Sequence, residues 1–265
     1  MTAGVGNDPV VRRIGAVDVT EALVQGLRDF QALPRFGLLF GALYAAGGIA
    51  IVGTVAYLGI VYLAYPIAAG FALIGPFVAA GLYDVSRRRE TGDSPSWRGM
   101  WRAIRARPEI GWMAFVTLFI FVIWMYQVRL LMALFLGLNA SFASLRQFVT
   151  VVLTTSEGLM FLAVGNAIGA ALSLILFSLT VVSFPLLIDR EVDFVTAMIT
   201  SVRAVAMNPL PMIGWAAVIV MLLVISALPL FTGLLVTLPV LGHATWHLYR
   251  RLVVAPASSP AANAT

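Results

Sequence analysis

Four long stretches without a charged side chain constrain the fold of this chain more than any other feature. They cover residues 36–83, 110–128, 158–188 and 210–249. A helix of about 20 apolar residues crosses a bilayer core about 30 Å thick. As one helix, residues 36–83 would be about 72 Å long, so this stretch predicts two spans, and residues 210–249 predict two more. The other two stretches predict one span each, which makes six transmembrane helices.

The composition excludes the other broad classes of protein. Hydrophobic residues make up 61% of the chain and charged residues 11%, and the mean hydropathy is +0.97. An average soluble domain is about 45–50% apolar and about 25% charged, and disorder needs low hydrophobicity with high charge. Cysteine is absent from the sequence, which excludes disulfides and thiolate metal sites. An all-α multi-pass membrane protein is the class that remains.

The distribution of arginine predicts the orientation. All 17 basic residues are arginines, and only Arg129 and Arg146 fall on the side opposite to the others. The rest lie before the first predicted span, between spans two and three, between spans four and five, and after span six. Cytoplasmic loops carry the excess of basic residues. We therefore expect a protein of the bacterial inner membrane with both termini in the cytoplasm, and no nucleic-acid partner.

Three segments on the predicted cytoplasmic side share one pattern, in which an arginine stands six residues before a proline. The pairs are Arg28 and Pro34, Arg102 and Pro108, and Arg203 and Pro209. Apolar residues recur at the spacing of one helical face, and Asp18, Ser94 and Asp193 have the residue types that begin helices. Each proline is expected to act as a hinge that ends this helix and directs the chain into the bilayer.

The pattern predicts three repeat units, each an amphipathic helix at the cytoplasmic interface followed by a two-span hairpin. The units are residues 18–83, 93–188 and 193–252 of one membrane domain, 18–252, with disordered tails at 1–17 and 253–265. The predicted interfacial anchors are Leu23, Leu27, Arg28, Trp97, Trp101, Arg102, Met198, Val202 and Arg203. Three roles stay open for these helices: structural hinges over the bundle, sensors of anionic lipid, or docking sites for a cytoplasmic partner.

The two histidines of the chain lie one helical turn apart. His243 and His247 share a face of predicted span six, next to Trp246 and Tyr249. They are either polar residues of the interfacial aromatic belt or two ligands of a metal or haem. A structural zinc site needs about four ligands, so we predict no metal and no cofactor.

Three other polar residues lie in or near the spans. Arg129 is expected at the outer interface, where it can form with Glu157 either a structural ion pair or a substrate-binding pair at a periplasmic mouth. Residues 130–157 between them form a long outer segment suited to a lid or a periplasmic contact. Asn166 lies deep in span four between Gly165 and Gly169. Small residues at this spacing permit close helix packing, and the amide can bridge to a neighbouring helix. Gly37, Gly41 and Gly48 are interpreted in the same way.

The chain also resembles a known family. The residues that carry the resemblance are 185–193, Arg203, 208–211 and 214–215, with an echo at 107–112. They are similar to bacterial integral membrane proteins of domain of unknown function family 2189. The resemblance implies a six-span inner-membrane protein and implies nothing about chemistry.

Two classes of function remain. The sequence lacks the motifs of metalloproteases, serine hydrolases and nucleotide-binding loops, so we do not expect an enzyme. The first class is a non-enzymatic protein that scaffolds, assembles or regulates a membrane complex, with the lipid bilayer and another membrane protein or a second copy as partners. The alternative is a permease for a small molecule or lipid. A continuous polar cavity would favour the permease, and a solid bundle with exposed small-residue faces would favour the scaffold.

Overall fold

The computed structural model describes residues 9–58, 70–71, 73–138, 142 and 145–254. Apart from short connections, this part of the chain is helical, with two strands of two residues each, which confirms the predicted all-α class. The helices are α1 Ala16–Ala32, α2 Pro34–Leu58, α3 Gly75–Glu90, α4 Trp97–Arg105, α5 Glu109–Phe135, α6 Leu145–Thr154, α7 Ser156–Thr180, α8 Ser183–Asp189, α9 Phe194–Met207, α10 Pro209–Ala227 and α11 Leu234–Leu252, and the strands are β1 Val10–Val11 and β2 Val253–Val254.

Four helical stretches in the described part are long and apolar enough to cross a membrane. They are Pro34–Val55, Glu109–Phe135, Ser156–Asp189 and Pro209–Ala227. These four match predicted spans one, three, four and five. Neither of the other two predicted spans is among these four. Helix α3 overlaps the last part of predicted span two, α11 overlaps predicted span six, and both helices carry arginines in their last turns. The predicted turn at Tyr62, Tyr65 and Pro66 lies outside the described residues.

Helix α11 lies at the centre of the molecule, because α1, α2 and α3 all pack against it. A Cβ atom on Gly26 of α1 would lie 2.5 Å from the amide nitrogen of Ala244, and one on Gly41 of α2 would lie 2.7 Å from the Cα of Leu235. Only glycine permits helix backbones to come this close. The packing role predicted for Gly41 is confirmed, and the equivalent role of Gly26 in α1 is a new finding.

The prolines of the repeat stand where helices begin. Pro34 and Pro209 are the first residues of α2 and α10, and Pro108 directly precedes α5. The backbone angles before the first two are nearly the same. Leu33 has φ −133° and ψ 54°, and Asn208 has φ −130° and ψ 52°. The residue before a proline is biased away from the helical region, which explains why both helices break at this point.

The predicted helix starts were right in one of three places. Asp193 caps α9, and its side chain accepts a hydrogen bond from the amide of Thr196 at 2.9 Å. The first helix begins earlier than predicted, because Gly15 is its cap and Asp18, three residues on, accepts from the Gly15 amide at 2.8 Å. The prediction of Ser94 as a cap was wrong. Ser96 fills this role, with its hydroxyl accepting from the amide of Gly99 at 3.1 Å.

The two ends of the described chain are joined to each other. Strands β1 and β2 pair antiparallel, with Val10 opposite Val254 and Val11 opposite Val253. The amide side chain of Asn208 accepts from Ile14 at 2.8 Å and donates to the carbonyl of Arg12 at 3.1 Å. Part of each tail that was expected to be disordered is therefore ordered by backbone pairing. No side-chain pattern in the tails predicts this pairing.

Candidate functional site

A buried carboxylate, Asp29, joins helices α1, α3 and α11. The Asp29 side chain is buried. Its Oδ2 accepts a hydrogen bond from the Ser86 hydroxyl at 2.6 Å and lies 2.8 Å from Nε2 of His247. Its Oδ1 accepts from the guanidinium of Arg89. The close approach at Gly26, one turn earlier on α1, brings the carboxylate within reach of these partners.

The same geometry fixes the proton positions around His243. The Ser86 hydroxyl has a single proton, and its 2.6 Å contact with Asp29 uses it. Nδ1 of His243 lies 2.7 Å from the same hydroxyl oxygen, so Nδ1 must donate and the neutral ring carries its free lone pair on Nε2. Nε2 is buried and has no hydrogen-bond partner among the described residues. The chain of contacts thus runs from His247 through Asp29 and Ser86 to a fully buried imidazole.

The environment of Asp29 favours its charged form. Burial alone raises the pKa of the Asp29 carboxyl, but the hydrogen bonds from His247 and Ser86 and the nearby histidines outweigh it. The net result is a pKa below the ordinary value for aspartate. Hydrogen bonds to the ionised form stabilise it, so this carboxylate is an ionised anchor and not a proton donor at neutral pH.

A ring of ion pairs surrounds this network. Arg250 contacts Glu90 at 3.1 Å and Asp189 at 3.4 Å. Arg251 contacts Asp18 at 3.0 Å and Glu21 at 2.7 Å. Glu90 also accepts from the indole of Trp246 at 3.2 Å, and Asp189 accepts from the hydroxyl of Tyr249 at 2.6 Å. These contacts connect the ends of α3, α8 and α11 with the start of α1.

The network opens to a cleft of about 500 Å³ at the charged ends of these helices. Four arginines line it together with two acids, a histidine and two neutral polar residues: Arg12, Arg89, Arg250, Arg251, Asp29, Glu90, His247, Gln25 and Ser86. Three of the arginines are already paired with acids, so the cleft is polar without a large excess of free positive charge.

The prediction that His243 and His247 lie with their aromatic neighbours at the lipid interface was wrong. His243, Trp246 and Tyr249 are each at most 1% exposed and His247 is half-buried, so they face protein and not the headgroup layer. The sequence placed them on the correct helix but could not show that α1 and α3 cover this face. No group of three metal-ligating side chains occurs in the part of the chain that the structure describes.

The sequence reasoning missed Asp29 and Ser86. A signal for Asp29 was present in the repeat. Positions 22, 26 and 29 of α1 correspond to Ala197, Ser201 and Ala204 of α9, and all six are buried. Asp29 is charged, whereas the other five residues of this set have small side chains. A comparison of this face between the repeat units would therefore have identified Asp29.

The predicted interfacial anchors have the same exposure in all three copies. Leu23, Trp97 and Met198 are half-buried, while Leu27, Trp101 and Val202 are 41%, 56% and 41% exposed. Arg28, Arg102 and Arg203 are exposed. Trp97 packs against Phe36 of α2, with ring centroids 4.3 Å apart. The first residue of each apolar stripe therefore faces protein, and the second, four residues later, faces outward.

The polar residues in or near the spans are not brought together. Arg129 and Glu157 are both exposed and form no ion pair with each other, although the structure describes both. Asn166 is exposed on α7, and its amide donates to the carbonyl of Leu162 on the same helix at 2.8 Å. A Cβ atom on Gly169 would meet nothing within 4 Å. The expected close packing at Gly169 and the amide bridge to a neighbouring helix were wrong within this chain.

The outer segment 130–157 is largely helical where the structure describes it. Residues up to Phe135 continue α5, and α6 folds back against α7. A Cβ atom on Gly158 would lie 2.5 Å from the carbonyl oxygen of Val151, so this contact is tight. Residues 139–141, 143 and 144 lie outside the described part.

Residues 64–189 match the family described as predicted integral membrane protein (DUF2189). This match confirms the resemblance, and the chain is an integral membrane protein with several apolar helices. The matched segment includes α3 to α8, with Ser86 and Arg89 of the Asp29 network. No curated protein and no solved structure matches the chain.

Proposed function

We propose that the protein is a non-enzymatic component of the bacterial inner membrane that scaffolds, assembles or regulates a membrane complex through a partner bound at α7. The observation that carries this proposal is Asn166, an exposed amide on a candidate membrane span, with open space at Gly169 on the same side. A polar side chain facing hydrocarbon is costly, and a second helix that approaches over the glycine can satisfy it.

The Asp29 network supports the non-enzymatic part of the proposal. Ser86 is the hydroxyl nearest to a histidine at this site, but its proton is directed to Asp29 and the residue is 1% exposed. An activated serine needs its proton taken by the base. The chemistry-bearing side chains of the site therefore satisfy one another and hold helices together.

Contacts between distant segments support six spans with both termini on one side. Ser86 bonds to Asp29, Arg107 lies 3.7 Å from Glu191, Arg190 donates to the carbonyl of Val254 at 2.9 Å, and Arg251 pairs with Asp18. All four segments predicted to be cytoplasmic thus meet at one end of the molecule. If the four segments lie on one side of the membrane, the chain between two consecutive segments must cross an even number of times. The two intervals that hold a single candidate span therefore need a return crossing, and we propose α3 and α11 for this role.

A photocrosslinking experiment tests the partner. A photoreactive residue replaces Asn166 in one variant and Ile175 in the other. Both positions are exposed on α7, but nine residues place them on opposite faces of the helix. We expect one defined protein adduct from position 166 in native membranes and none from position 175. Only lipid adducts at position 166, or equal protein adducts at both positions, would refute the proposal.

Reporter fusions test the topology. Fusions after Val85, Arg190 and Arg251 should report the cytoplasm, and fusions after Tyr62 and Ser144 should report the periplasm. The expectation follows from the arginine asymmetry and from the meeting of the four segments. A periplasmic signal after Arg251 would overturn the six-span arrangement.

A permease is the second candidate, and the 500 Å³ cleft favours it. The chain has no native cysteine, so a cysteine in place of Gln25, which lines the cleft, gives a unique label site. An alternating-access protein exposes such a site to both sides in turn. Labelling by an impermeant maleimide from the periplasmic side of spheroplasts would support the permease, and labelling in inverted vesicles alone would support the scaffold.

A further inference from the structure

The three amphipathic helices α1, α4 and α9 each carry an equivalent arginine that has no ion pair or hydrogen bond with any residue the structure describes. We propose that Arg28, Arg102 and Arg203 are three matching contact sites for the phosphate of anionic phospholipid headgroups. This inference concerns the lipid around the protein and does not depend on the proposed protein partner.

The local arrangement is the same at the three positions. Each arginine directly follows an exposed apolar side chain, namely Leu27, Trp101 or Val202. Each also stands six residues before the proline that begins or precedes a candidate span. An apolar side chain next to a guanidinium, close to the point where the chain enters the bilayer, fits the boundary between acyl chains and headgroups.

The ion pairs of the molecule divide its arginines into two groups. The first group has acidic partners and is made up of Arg87, Arg88, Arg89, Arg107, Arg190, Arg250 and Arg251. Arg28, Arg102 and Arg203 belong to the second group, because they form no ion pair or hydrogen bond with a described residue and are exposed. Their charge is therefore available to a ligand outside the chain.

The occupant is an anionic lipid because the apolar neighbour and the arginine must be satisfied together. A soluble phosphate would contact the guanidinium and leave Leu27, Trp101 and Val202 in water. A phospholipid supplies acyl chain for the first and phosphate for the second. Guanidinium groups bind phosphate with two parallel hydrogen bonds, and each basic residue near an anionic surface strengthens binding about fivefold.

The test compares two triple variants with the same change in net charge. The first is Arg28→Gln with Arg102→Gln and Arg203→Gln. The control is Arg13→Gln with Arg129→Gln and Arg146→Gln. These three arginines lie outside the three helices, are exposed, and have no acidic partner among the described residues. Each protein is reconstituted into nanodiscs of mixed phosphatidylglycerol and phosphatidylcholine. Native mass spectrometry after release then measures the enrichment of phosphatidylglycerol on the protein.

We expect the wild type and the control to retain phosphatidylglycerol, and the first variant to retain it about fivefold less at each of the three sites. Arg→Lys at the same three positions should restore part of the retention, because lysine keeps the charge but not the paired hydrogen bonds, and this partial recovery shows that the variants fold. Competition with millimolar glycerol phosphate separates free phosphate from lipid, since it should not displace the lipid. Equal loss in both triple variants, no loss in the first, or displacement by glycerol phosphate would overturn the proposal.

Discussion

Replacement of Asp29 by asparagine should remove the ionic centre of the buried network while leaving its shape almost unchanged. The amide keeps one oxygen but places an NH₂ group against one set of donors. If this group replaces Oδ2, it faces the Ser86 hydroxyl and the N–H of His247, which lie 2.6 and 2.8 Å from that atom. Donors then face donors at a buried position, and at least one polar group is left without an acceptor.

The magnitude follows from the bonds that are lost. A hydrogen bond to a charged group contributes about 1.5–3 kcal/mol, so the two contacts at Oδ2 give about 3–6 kcal/mol. The Arg89 side chain is 41% exposed and can regain water, so its bond adds little. Breaking a buried pair by removing one partner costs about 3–5 kcal/mol. We therefore expect the free energy of unfolding to fall by about 3–5 kcal/mol.

Reversible unfolding in mixed micelles, followed by tryptophan fluorescence, measures this change, because Trp215 and Trp246 are fully buried. Glu21→Gln is the control, because Glu21 also pairs with an arginine but its side chain is 54% exposed. Exposed pairs contribute about 0–1 kcal/mol. If the two substitutions destabilise the protein equally, Asp29 is not a buried anchor and the reasoning fails.

The difference between the wild type and Asp29→Asn should also depend on pH. The pKa of Asp29 is lowered in the folded state, so its stabilising contribution is fully present above the unfolded value of about 3.9 and is lost as the pH falls through the lower folded value. The stability difference should stay constant from pH 7 to 5 and shrink below about pH 4. A difference that shrinks already between pH 7 and 6 would contradict an ionised Asp29 with a lowered pKa.

Three further substitutions, two of them with a matched control substitution, test individual contacts. Gly26→Ala should destabilise the protein by about 2 kcal/mol or more, because the added Cβ atom would lie 2.5 Å from the backbone of α11. In the control Gly214→Ala, the added Cβ atom meets nothing within 4 Å, so this substitution should stabilise α10 slightly. Thermal unfolding measures both effects. Trp97→Ser should increase hydrogen exchange across α4, because the ring of Trp97 packs on α2. Trp101 is exposed, so Trp101→Ser should leave the hydrogen exchange of α4 unchanged when the protein is in detergent. Asn208→Ala should increase exchange in β1, because the amide holds that segment.

The sequence predicted the parts of the fold that depend on one segment at a time. Charge-free stretches located the four candidate spans because crossing a bilayer sets length and polarity directly. The helix break before Pro209 and the cap at Asp193 were also predicted, since proline and a capping carboxylate act on their own backbone. The close approach at Gly41 was foreseen for the same reason, because a small residue is visible in sequence.

Features that depend on which helix covers which face could not be predicted in this way. The burial of Trp246 and Tyr249 arises because α1 and α3 lie over α11, and the sequence of α11 contains an aromatic pattern that suits a lipid interface equally well. Ser86 has no local signal at all. Its role follows from its distance to two residues that are 57 and 157 positions away in the chain.

The joining of the two ends has a consequence for how the chain is made. Asp29 meets its partner His247 across 218 residues, and β1 meets β2 only when Val254 has left the ribosome. At synthesis rates of about 5–20 residues per second, Asp29 waits about 10–45 s for that partner. During this interval α1 lacks the helix it packs against, and its row of small residues is open to water, to lipid or to a chaperone. The last 20 residues of the described chain are therefore the ones that complete the packing of the first.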